Sequence, residues 1–124
     1  MVDDVSCRPR SSAEARDAAR SFLDSLHLSE NGHAAQNLLM VVAELVANAL
    51  RHAGTVLELR FSREPDGLVV AVDDPSPRYP LPRLPDWTGR AGGFGWVMVQ
   101  RLAGQVRIRP REGGGKTVEA VVAV

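Results

Sequence analysis

The stretch 33–53, HAAQNLLMVVAELVANALRHA, decides how the rest of the chain is read. At ~100° per residue, Leu38, Leu39, Val42, Ala43, Leu45, Val46, Ala49 and Leu50 fall on one broad apolar face. The spacing predicts an amphipathic helix that Gly54 stops. Glu44, Asn48, Arg51 and His52 gather on the other side, with Glu44 and Asn48 one turn apart. A solvated polar face is one reading of that set, because amphipathic helices generally have one. The other begins from Asn48: an amide competes for backbone hydrogen bonds and serves a helix interior poorly. A carboxylate and an amide oxygen stacked one turn apart suit a hard cation or an ordered water.

Working outward, Ser11 and Glu14 have capping-box spacing, and Ala15, Ala18, Ala19, Phe22, Leu23 and Leu26 repeat at three and four residues. They predict an earlier helix, ended by the stretch 29–32. After Gly54 the period changes to two. Thr55, Leu57, Leu59 and Phe61 alternate with Glu58, Arg60 and Ser62, then Pro65-Asp66-Gly67 turns the chain into a second strand over 68–74. Prolines and glycines crowd residues 75–95, which read as a long loop of the kind that carries function in a compact domain. A short helix follows, with Val97, Met98, Leu102 and Ala103 expected to face inward. Two last strands, over 105–109 and 116–124, flank the turn Glu112-Gly113-Gly114-Gly115. The expected fold is an α+β two-layer sandwich, with a mixed, mostly antiparallel sheet and helices packed on one face. Residues 1–124 form a single domain, with 1–10 an N-terminal extension or edge strand.

Asp74 stands out by phase. Alternation turns it to the same side as Leu68, Val70 and Val72, where a carboxylate needs a donor such as the exocyclic amine of a base. It is equally a common turn former ahead of Pro75 and Ser76. Gly93 and Gly95 precede a helix, where bare amides and the helix dipole suit phosphate, although glycines also punctuate ordinary loops.

Composition excludes several classes. The chain has 124 residues, with 15 Lys+Arg against 15 Asp+Glu, so no overall positive charge drives nucleic-acid binding. Cys7 is the only cysteine, which rules out an intrachain disulfide and cysteine-rich zinc sites. The apolar runs are too short to span a bilayer, and Asp3 and Asp4 stand where a secretion signal is basic. A reduced cytoplasmic setting, with no membrane or direct nucleic-acid contact, is the expectation. Met98 occupies the third-glycine position of a dinucleotide fingerprint beginning at Gly93, and Pro110 the first-glycine position of a P-loop ending at Gly115-Lys116-Thr117. Both motifs fail. His27, His33 and His52 make no metal-ligand spacing, and no local signature supports a catalytic triad.

Taken in order, the polar segments resemble the boxes of the GHKL (Bergerat-fold, histidine-kinase-like) ATPases. Glu44-Leu45-Val46-Ala47-Asn48-Ala49-Leu50-Arg51-His52-Ala53 resembles the N-box, and Val72-Asp73-Asp74-Pro75-Ser76-Pro77 the box after it. Gly93-Phe94-Gly95-Trp96-Val97-Met98-Val99 resembles the glycine box, and Gly115-Lys116-Thr117-Val118 the terminal strand motif. The similarity runs from about residue 11 onward and is greatest to the small stand-alone anti-sigma-factor serine/threonine kinases.

That resemblance implies ATP and Mg²⁺ as ligands, with 75–95 as the ATP lid. It implies that Asn48 ligates the metal and that Glu44 is the general base. It implies that Asp74 accepts from the adenine amino group, supported by Thr117, and that Gly93 and Gly95 fold over the phosphates. Arg51 and His52 would reach phosphate, and Arg78, Arg83 and Arg90 are basic candidates within the lid. An anti-sigma antagonist or sigma factor is the implied partner, and a homodimer the implied assembly. Phe94 and Trp96 depart from the family pattern by their bulk, which motivates an alternative: an ATP-responsive anti-sigma binding module with little or no kinase activity.

Overall fold

The computed structural model describes residues 5–29, 31–78 and 95–124. After the short strand β1 (Val5–Cys7), the capping signal at Ser11 starts α1 (Ser12–Ser25), with the Glu14 amide donating to Ser11 Oγ at 3.1 Å. The Glu14 carboxylate reaches back one residue beyond the cap and accepts from the Arg10 amide. α1 ends with His27 at φ 58, while the Leu28 amide donates to the Leu23 carbonyl at 3.0 Å.

α2 spans His33–Ala53, as its apolar period predicts, and stops at Gly54. Two hairpins complete the sheet: β2 (Glu58–Glu64) with β3 (Gly67–Asp74), and β4 (Gln105–Pro110) with β5 (Lys116–Val122). Between them lies α3 (Gly95–Leu102). The strand order is β1-β2-β3-β5-β4, and all four pairings among the described residues are antiparallel, so the sheet is not mixed.

The core lies between the helices and one face of this sheet. Leu59, Phe61, Leu68, Val70, Val72, Val118, Ala120 and Val122 meet Phe22, Leu23, Leu38, Val42, Val46 and Val99, and the Phe22 and Phe61 rings stack at 5.2 Å. Each large side chain fully buried here contributes on the order of 2 kcal/mol. α2 packs over β3 and β5, the two strands whose ends carry the inward charges.

The inward face of α3 differs from the expected one. Trp96 and Val99 are buried, Ala103 joins them just past the helix end, and Val97 and Met98 sit half-buried on the flanks. Positions 96, 99 and 103 share a helix face, and the large Trp96 ring takes the place of the two smaller residues.

Candidate functional site

The antiparallel register of β3 and β5 sets Asp74 directly opposite Lys116, and both point to the helix side of the sheet. Lys116 Nζ donates to Asp74 Oδ1 at 3.0 Å and to the Ser76 carbonyl at 3.2 Å. The Ser76 amide donates to the same Asp74 oxygen at 2.8 Å. Asp74 is 2% exposed and Lys116 3% exposed, so each charge leaves water only because the other is there. The expectation that Asp74 is inward and requires a donor is met, and within this chain that donor is an ammonium.

Gly115 makes this arrangement possible. Its φ is +80°, and a Cβ placed on it would lie 2.1 Å from the Asp74 carbonyl oxygen and 2.9 Å from Pro75 Cα. The chain thus enters β5 pressed against the backbone of the Asp74–Pro75 turn, which brings Lys116 onto the carboxylate.

Thr117 corrects the sequence expectation. Alternation turns it to the opposite face of the sheet from Asp74, where its hydroxyl donates to Asp73 Oδ1 at 2.6 Å. Asp73 also binds the Arg60 guanidinium through both oxygens and lies 3.7 Å from Arg111 Nε. Burial pushes the Asp73 carboxyl up, but hydrogen bonds from Arg60 and Thr117, with the charges of Arg60 and Arg111, hold it below its ordinary value. The same pairing, chiefly the hydrogen bond to Asp73, raises the Arg60 guanidinium above its own. Thr117 therefore belongs to a charged network on the outer sheet face.

Glu44 meets the start of α3. A Cβ on Gly95 would lie 2.1 Å from Glu44 Oε2, so only a glycine backbone lets the helix begin this close to that carboxylate. Asn48 is half-buried one turn further along α2, while Arg51 and His52 are exposed near its C-terminal end. Arg78 is exposed too. Trp96, whose bulk departs from the family pattern, is 7% exposed and packs in the core. Gly93, Phe94, Arg83, Arg90 and most of the expected lid lie outside the described residues.

Two features bear on the ligands that the resemblance implies. The Glu44 carboxylate fills the space beside Gly95 at the start of α3, so a carboxylate oxygen stands at a helix N-terminus. Asn48 offers one neutral oxygen, and no group of three or more His, Cys, Asp or Glu among the described residues could hold a metal ion. A magnesium ion here would take most of its ligands from phosphate and water, as that ion commonly does.

Lys116 is the residue that sequence reasoning missed. The signal was present: Lys116 is in phase with Val118, Ala120 and Val122, just as Asp74 is with Leu68, Val70 and Val72. Two opposite charges on the inward faces of neighbouring strands predict a pair.

The chain belongs to the histidine kinase-like ATPase domain family, whose model matches residues 5–122. Among curated proteins, no match is found. The family supports an ATP-binding role and ATP-utilising chemistry, and the antiparallel sheet with helices packed on one face agrees with it.

Proposed function

We propose that the chain binds ATP with Mg²⁺ and transfers the γ-phosphate to a serine or threonine hydroxyl of an anti-sigma antagonist. The observation that carries this reading is the Glu44 carboxylate lying against Gly95 at the first residue of α3. This reading is supported by a carboxylate at a helix start, since a carboxylate can accept a proton and helix N-termini suit phosphate.

Glu44 takes the proton of the attacking hydroxyl as its oxygen bonds to the γ-phosphorus, and the bond to the β-phosphate oxygen breaks to release ADP. Asn48 would hold the metal through its amide oxygen, and the ion would neutralise phosphate charge. Asp74 accepts from the adenine amino group, and the first amides of α3 orient the phosphates. Gly93, Arg51 and His52 belong to the phosphate end of this reading. An anti-sigma antagonist, a sigma factor or both are the protein partners, a homodimer the assembly, and the cytoplasm the setting. No described helix is long and apolar enough to cross a membrane.

The test is phosphate transfer from γ-labelled ATP to a panel of candidate antagonists, with wild type and Glu44→Gln. Wild type labels its antagonist, and Glu44→Gln keeps ATP binding while transfer falls by about a hundredfold or more. Undiminished transfer by Glu44→Gln overturns the assignment of the base. ATP binding with no transfer to any antagonist replaces the kinase by the ATP-responsive binding module.

A further inference from the structure

The Asp74–Lys116 pair places a hydrogen-bond acceptor and a donor side by side at the inward end of the sheet. Nζ and Oδ1 are 3.0 Å apart, and the pressed backbone of Gly115 and the Ser76 carbonyl hold the ammonium in place. An ammonium has three N–H donors, and the described residues accept two of them, at Asp74 and Ser76. Breaking a buried pair to make room for a ligand is costly, so a ligand that leaves the pair intact is favoured over one that displaces Lys116.

Adenine has the complementary edge. Its 6-amino group donates, and the neighbouring ring nitrogen N1 accepts. A base whose amino group meets the Asp74 carboxylate therefore brings N1 beside the Lys116 ammonium. We propose that Lys116 is a specificity-determining residue that donates to adenine N1, next to Asp74. This rests on the reading that Asp74 accepts the 6-amino group, and adds the second half of the base contact.

The pair also rejects 6-oxo purines. Guanine and hypoxanthine present a carbonyl oxygen at position 6 and an N–H at position 1. The carboxylate would face an acceptor and the ammonium a donor, two repulsive contacts in a buried place. Asp74 alone discriminates at one position, whereas Asp74 with Lys116 discriminates at two.

The test is calorimetric binding to the full chain with Mg²⁺, using ATP, 1-deaza-ATP, in which N1 is a C–H, and inosine triphosphate. Wild type should bind 1-deaza-ATP about tenfold or more weakly than ATP, and inosine triphosphate more weakly still. In Lys116→Met the 1-deaza penalty should shrink to about threefold or less, while Lys116→Arg, which keeps a cationic donor, should retain most of it. The wild-type comparison needs no variant, so it stands even if Lys116→Met fails to fold.

Equal affinity of wild type for ATP and 1-deaza-ATP overturns the proposal, as does an undiminished penalty in folded Lys116→Met. If ATP binds and only these comparisons fail, the Asp74 reading survives. If ATP itself does not bind, both fall together.

Discussion

The Lys116 ammonium and the Asp74 carboxylate, 3.0 Å apart on neighbouring strands, form an ion pair whose side chains are 4% and 3% exposed. Removing one partner strands the other charge in the core. Asp74→Leu and Lys116→Met should each destabilise the fold by about 3–5 kcal/mol. Combining Asp74→Leu with Lys116→Met removes both charges and should recover most of that loss. Urea unfolding of the single and double variants checks this as a thermodynamic cycle, and additive losses would mean the two charges are not coupled.

Two glycines should respond differently to alanine. At Gly115 the obstruction is backbone and φ is +80°, so Gly115→Ala cannot relax locally and should cost several kcal/mol, on the order of 3. At Gly95 the obstruction is the end of the flexible Glu44 side chain. Gly95→Ala should keep stability within about 1 kcal/mol of wild type, because alanine favours the helix while Glu44 swings away. Thermal melts paired with a phosphate-transfer assay separate the cases: Gly95→Ala stays folded but loses transfer.

Acid should weaken the outer sheet face. The Asp73 carboxyl is held below its ordinary value in the fold, so its pairing with Arg60 and Thr117 stabilises above the unfolded carboxylate pKa of about 3.9. That stability is lost as pH falls through the lower folded value. Wild type should be more stable than Asp73→Asn at pH 7, and the gap should narrow steadily below about pH 4. Denaturant titrations of both proteins from neutral pH into acid measure it, and a constant gap would contradict the pairing.

His27 is the only non-glycine residue at positive φ among the described residues, at 58° in the turn that ends α1. A side chain there crowds the backbone, and glycine does not. His27→Gly should raise stability by about 0.5–1 kcal/mol, less whatever the more flexible unfolded chain takes back. A melting-temperature comparison is sufficient, and a fall in stability would show that His27 makes contacts worth more than the strain.

Much of this architecture was legible because period and phase report directly on burial. The apolar face of α2 gave its bounds, and the phase of Asp74 with Val70 and Val72 gave its inward direction before any partner was known. Thr117 was misassigned because a motif identifies neighbours in sequence, whereas the pleat sends consecutive residues to opposite faces. Lys116, one residue earlier, is therefore the one that meets Asp74. Val97 and Met98 were expected inward from hydrophobicity alone, yet Trp96 and Val99 occupy that face. The approach of Glu44 to Gly95 has no local signal, since the β2–β3 hairpin separates α2 from α3 in the chain.

The proposed ATP site depends on Asp74 accepting from the adenine amino group. Calorimetry on the wild-type chain, with Mg²⁺, of ATP against purine riboside triphosphate, which lacks only that amino group, tests it without disturbing the buried pair. ATP should bind, and the analogue should bind about tenfold or more weakly, because it leaves the carboxylate without its donor from the ligand. Equal binding of the two, or no binding of ATP, would contradict the account.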